Sequence, residues 1–242
     1  MVVLLCIIGI LAIVVIGILF YYNQAFPEAQ EIAEEMALID GDYWFPGDSD
    51  GGFISFAGAK TDERAYAYMA KLLYEEGYTV VVPKQLFHLS AFGMKHGLEI
   101  IKSSSQIEKW ILIGHSLGGV PASRIAATQP EKLLGVALLA TYASVDLSEL
   151  DISAIRITAE NDGVMNNDRM ENYNGNLPEN SANLVLEGTN HQGFAAYKSA
   201  SGRDGEASIS WQEQNEKSVQ LILDFFAEQI RETVFGSTHT VS

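Results

Sequence analysis

Basic residues are scarce in this sequence and cysteine is nearly absent. Its 242 residues hold 15 Lys and Arg against 31 Asp and Glu, a formal net charge of -16. No basic stripe is available to follow a phosphate backbone, which argues against nucleic acid as a partner. The single cysteine is Cys6, so neither disulfides nor a thiolate metal site can hold the fold together. There is no zinc-type cluster and no phosphate-binding loop, and no metal or cofactor is expected. Internal repeats and low-complexity tracts are also missing. What is present is a composition 48% hydrophobic and 19% charged, enough for one sizeable core with little left for a second complete domain.

Charge is wholly lacking from residues 2–22, a run of Val, Ile and Leu that ends in Phe20, Tyr21 and Tyr22. At about 1.5 Å per residue such a helix is roughly 30 Å long, enough to cross a bilayer. The terminal aromatics resemble an interfacial belt, and Asn23-Gln24-Ala25 is a poor cleavage site. The sequence therefore predicts an uncleaved transmembrane anchor over residues 1–23. The first basic residue is Lys60, so nothing basic holds the downstream flank in the cytoplasm. A single-pass membrane protein with its catalytic domain on the extracytoplasmic side is expected. Residues 24–50 read as an acidic juxtamembrane spacer, solvated, with a short helix starting at Pro27 and ending near Asp40-Gly41. Residues 51–235 form the main domain, and 236–242 a polar tail.

Within the main domain short apolar runs alternate with helical stretches. Strands are expected at 53–56, 78–82, 110–113, 134–139, 155–159 and 183–186, and helices at 62–76, 91–102, 117–128 and 212–232. Continuous Val, Ile and Leu runs separated by helices imply an α/β fold, a mainly parallel sheet with helices on both faces.

The strongest local signal is Gly114-His115-Ser116-Leu117-Gly118, a G-x-S-x-G sequence placed between an apolar strand and a helix. The two glycines allow a sharp turn that leaves Ser116 exposed, and the following Leu117 amide, at a helix start, suits a developing negative charge. Taken with Phe56-Ala57-Gly58-Ala59-Lys60, Ala159-Glu160-Asn161-Asp162-Gly163 and Gly188-Thr189-Asn190-His191-Gln192-Gly193-Phe194, this motif resembles the α/β-hydrolase superfamily, in particular its small dienelactone-hydrolase-like members. The resemblance spans residues 53–226 and implies a chain order of Ser, then acid, then base. It points to Ser116 as nucleophile, Asp162 as acid and His191 as base, with Leu117, Gly58 and Ala59 as oxyanion donors.

Glu160 and Asp168 compete with Asp162. Among the other histidines, His88 and His96 precede the nucleophile, His239 lies in the tail, and His115 sits in the elbow pointing away. Tyr142, Phe87 and Phe194 are candidate substrate-binding walls, joined by Tyr197, Arg203 and Asp204 in the stretch after the base. The segment 141–154 is too short for a lid. A small-molecule acyl substrate is expected to be cleaved as an ester through an acyl-enzyme. An acyltransferase or thioesterase would use the same three residues, and a non-catalytic hydrolase-like binding module is the non-enzymatic reading.

Overall fold

The computed structural model describes residues 7, 9–11, 17, 23–90, 93–165, 167–198 and 202–236, without the side chains of 167–169 and 232–236. In chain order the main elements are α1 (Pro27–Glu34), β1 (Ala37–Ile39), β2 (Asp42–Phe45), β3 (Gly51–Phe56), α2 (Ala67–Glu75), β4 (Thr79–Val82), α3 (Met94–Ser103), β5 (Lys109–His115), α4 (Gly119–Thr128), β6 (Leu133–Leu139), β7 (Ser153–Ala159), α5 (Asn167–Asn172), β8 (Ser181–Leu186) and α6 (Trp211–Gly236). The eight strands make one sheet in the order β1-β2-β4-β3-β5-β6-β7-β8. From β4 to β8 every pairing is parallel, whereas β1–β2 and β2–β4 are antiparallel.

The inner parallel strands β4, β5 and β6 carry consecutive apolar residues because both faces of the sheet are covered there, whereas no residue of the edge strand β8 is fully buried. Successive residues point to opposite sides: Ile111 and Ile113 of β5 join the core under α1, α2 and α6, and Trp110 and Leu112 join the core under α3 and α4. Each such side chain, fully removed from water, contributes about 1.5–3 kcal/mol.

Two expectations are corrected here. Among the described residues no helix is long and apolar enough to cross a membrane. Only Ile7, Gly9, Ile10, Leu11 and Gly17 of the expected anchor are described, and the rest of 2–22 lies outside the described residues. The predicted transmembrane helix, and with it the single-pass extracytoplasmic placement, is therefore not supported.

The second correction concerns residues 24–50, which are part of the fold and not a solvated spacer. Ala29, Ala33 and Met36 are buried in the core, and the helix α1 stops at Glu34. The chain then turns back as a hairpin at Asp40-Gly41, where φ is 53° and 94°, the paired left-handed conformation of a tight hairpin turn. This hairpin supplies the two antiparallel strands at one end of the sheet. The expected helix 62–76 opens with a 3-10 turn, Glu63–Tyr66, capped by Asp62, whose carboxylate accepts from Arg64 N.

Gly135 sits in β6 where α6 crosses the sheet. A Cβ there would press on the Ser153 carbonyl and on the Phe226 ring at 2.8 Å. Gly135→Ala is expected to destabilise the protein by about 1–3 kcal/mol, the usual range for overpacking, read as a lower urea midpoint; an unchanged midpoint would show that strand and helix separate freely.

Candidate active site

All the candidate residues lie beyond the carboxyl ends of parallel strands, the edge at which such sheets present ligand sites. Ser116 follows β5 directly, with φ at 52°, a left-handed conformation that non-glycine residues seldom adopt. The turn is tight on both sides. A Cβ on Gly114 would meet Gly118 O at 2.6 Å and Gly119 Cα at 2.7 Å, and one on Gly118 would run into the Phe56 carbonyl. Only glycine lets these backbones pass. Ser116 is consequently half-exposed at the head of a 3-10 turn, Ser116–Gly118, that runs into α4. Leu117 N–H belongs to the first turn of this helical stretch, where amides lack helical partners.

Asp162 follows β7 and His191 follows β8. Their side chains meet, His191 Nδ1 lying 2.9 Å from Asp162 Oδ2, with only 5% and 8% of the two side chains exposed. Since a carboxylate accepts, Nδ1 carries the proton and Nε2 is left as the basic nitrogen. The other carboxylate oxygen of Asp162 accepts from Val164 N and Met165 N, each at 2.8 Å. Burial alone would push the Asp162 carboxyl up, but the hydrogen bond from His191, the electrostatic influence of that ring and the two amides together hold it below its ordinary range. Glu160, its neighbour, is used elsewhere: it accepts from Gly188 N at 2.8 Å. The side chain of Asp168 lies outside the described residues.

The loop after β3 passes beside Ser116: a Cβ on Gly58 would sit 3.5 Å from Ser116 Cβ. The Gly58 amide donates to Tyr66 Oη at 2.8 Å, so it is already committed, while Ala59 next to it is exposed.

The three expected wall residues separate. Tyr142 stacks on Tyr173 with ring centroids 4.4 Å apart and planes 8° from parallel, just past the end of β6. Phe87 is 42% exposed in a turn with φ of 54°; the adjacent His88 carbonyl accepts from Lys60 N at 2.6 Å, which ties that turn to the Gly58 loop. Phe194 is different. It is fully buried and packs against the His115 ring at 5.8 Å, so it is core and not substrate wall.

Sequence reasoning missed the groups that hold the base loop. Asp204, expected as a wall residue, accepts from His191 N at 3.1 Å and Gln192 N at 2.7 Å, and also from Gly163 N at 3.2 Å beside the acid. Gln214 of α6 accepts from Asn190 N at 3.3 Å and donates to Asn190 O at 2.9 Å. The only sequence signal for either was an acidic or amide side chain within about one loop or helix turn of the motif, too common to select.

Residues 52–216 match the alpha/beta hydrolase family. No curated protein matches the chain. Among solved structures it is similar to an alpha/beta hydrolase enzyme from the metagenome of sediments from the lagoon of Mar Chica, Morocco, at a TM-score of 0.61 and 15% identity over 80% of this chain and 98% of that one. It is also similar to a thermophilic esterase from Thermogutta terrifontis, with a TM-score of 0.57 and 12% identity over 80% and 96% of the two chains. A third is a membrane phospholipase A described as a novel bacterial virulence factor, with a TM-score of 0.57 and 14% identity over 96% and 99%. At such identities these likenesses speak for the fold.

Two outcomes are expected. Asp204→Ala removes a charged acceptor shared by both loops and should cost about 1.5–3 kcal/mol of stability in urea unfolding; no change would mean that the loops hold without it. Asp162 titrates lower when folded than when unfolded, so its carboxylate favours the folded state above about pH 4 and this contribution is lost as pH falls through the lower folded value. Asp162→Asn should therefore flatten the acid limb of the stability–pH profile, and an unchanged limb would contradict this.

Proposed function

The chain belongs to the alpha/beta hydrolase family, and from that premise we propose that it is a serine hydrolase that cleaves a carboxylic ester or related acyl bond of a small molecule. The observation that carries this reading is the buried 2.9 Å contact between His191 Nδ1 and Asp162 on the same sheet edge as the strained turn at Ser116. Neighbouring folds that include an esterase and a phospholipase A support ester chemistry.

The reaction runs in two halves. As Ser116 Oγ adds to the substrate carbonyl, its proton passes to His191 Nε2, and the oxygen that becomes negative is held by Leu117 N–H and Ala59 N–H. The carbon–oxygen bond to the leaving group then breaks, and the His191 proton goes to that oxygen, releasing an alcohol. Water repeats the sequence on the acyl-enzyme, releasing the acid and restoring Ser116. Asp162 keeps the proton on Nδ1 and stabilises the imidazolium formed in each half.

Between β6 and β7 there is no helix, so no lid is inserted at that connection. An open site lined by Tyr142 and Phe87 on a chain of net charge -16 suits a neutral ester or lactone better than a polyanion. A panel of esters, thioesters and alcohol acceptors separates hydrolysis from thioester cleavage and acyl transfer, with ester hydrolysis expected to be fastest.

Wild-type protein is expected to take a fluorophosphonate label at Ser116, mapped by mass spectrometry, and Ser116→Ala to take none. Asp162→Asn should lower kcat by about four orders of magnitude by releasing the tautomer. Label retained in Ser116→Ala would refute the assignment.

A further inference from the structure

The loop that carries His191 has a problem of reach. In the sheet β8 lies three places from β5, about 14 Å at the usual strand spacing, so His191 must come back across the rim with no ladder to set its position. The point at which it is caught is His115. The imidazole Nε2 of His115 lies 3.1 Å from the His191 carbonyl oxygen, and the two rings are 4.9 Å apart. On the other side His115 Nδ1 lies 2.6 Å from Tyr66 Oη, which accepts from the Gly58 amide at 2.8 Å.

The proton order along this file can be deduced. A carbonyl only accepts, so His115 Nε2 carries a hydrogen and donates it. Burial pushes the His115 imidazole well below its ordinary range; His191 pushes the same way, and Asp162 opposes. With a neutral ring, Nδ1 is a lone pair and the Tyr66 hydroxyl must donate to it. Tyr66 and His115 are each 1% exposed, so water does not compete. The turn that carries Tyr66 also receives Ala196 N on the Ala65 carbonyl at 2.8 Å, just beyond the base loop.

We propose that Tyr66 and His115 are positioning residues: one directed chain of hydrogen bonds, from Gly58 N–H through Tyr66 and His115 to the His191 carbonyl, sets the spacing of oxyanion loop, nucleophile turn and base loop. This rests on the reading of Ser116 and His191 given above. It also explains why Gly58 is withdrawn from the oxyanion: its amide is the first donor of the chain, which leaves Ala59 to face the substrate. Among the described residues, the titratable groups that act on His115 are Tyr66, through its hydrogen bond, and His191 and Asp162; Tyr197 and Glu63 act in turn on Tyr66.

The test measures the rate of fluorophosphonate labelling at Ser116, and kcat and KM for a small ester, in folded full-length variants. Tyr66→Phe and His115→Phe should each slow labelling and kcat by about 10–100-fold, the scale of a misplaced catalytic group, with KM within about two-fold of wild type. The double variant should be no slower than the slower single, since one chain is broken once. His115→Gln, whose amide can both accept from Tyr66 and donate to His191, should recover most of the loss.

Wild-type rates in both single variants, multiplied effects in the double, or a Gln variant no better than Phe would overturn the proposal while leaving Ser116 as nucleophile. No label on wild-type protein would bring down both readings. Where a Phe variant does not fold, the 15N spectrum of His115 in the wild type decides: a protonated Nε2 and bare Nδ1, unchanged from about pH 8 to 5, is expected from the depressed basicity. The opposite tautomer, or titration in that window, would overturn the chain.

Discussion

The turn at Ser116 depends on two backbones approaching more closely than any side chain would allow. Gly114 faces the Gly118 and Gly119 backbone, and Gly118 faces the Phe56 carbonyl, so β5 can end and α4 begin within a few residues. A left-handed residue such as Ser116, at φ 52°, costs of order 1–3 kcal/mol and persists only where its surroundings over-determine it. Here they do: β5 is hydrogen-bonded on both sides by β3 and β6, and the helix is packed on the sheet. The half-exposed hydroxyl, the amide of Leu117 and the closeness of Gly58 all follow from that one turn.

The rest of the edge is arranged by loops of unequal security. The turn that carries Asp162 is short and internally bonded, with its carboxylate accepting from two amides within three residues of itself. The loop that carries His191 is longer and is held from outside, by Asp204, by Gln214 and by His115. Rigidity is thus local for the carboxylate and borrowed for the imidazole, as expected when one group follows β7, paired on both sides, and the other the edge strand β8.

What could be read from residues alone was whatever has a short-range signature. The runs around Val80–Val82 and Trp110–Ile113 announce buried parallel strands because every position is apolar, and the glycine spacing around Ser116 announces the turn. Chain order singled out Asp162 and His191, and their side chains are hydrogen-bonded. The hairpin is not legible in the sequence although Asp40-Gly41 is a hairpin dipeptide, because Ala37, Leu38 and Ile39 run on without polar alternation. The buried face of α1 consists of Ala29 and Ala33, too small to mark a hydrophobic period, so an acidic segment looked solvated. Phe194 looked like a wall because an aromatic beside a catalytic loop invites that reading, yet nothing local reveals that it points inward. Tyr66 and His115 are 49 residues apart, and no periodicity links them.

The first described stretch of continuous chain is threaded through this same edge. Asn23 bridges to Thr61, just past the Gly58 loop, and Ala25 bridges to Tyr197, just past the base loop, while the Phe26 ring leans on Trp211 at 6.1 Å. Residues 23–25 are therefore a mechanical handle on both loops at once. Tension applied there would be felt first at the rim that carries Ser116 and His191 and last at the far side of the sheet.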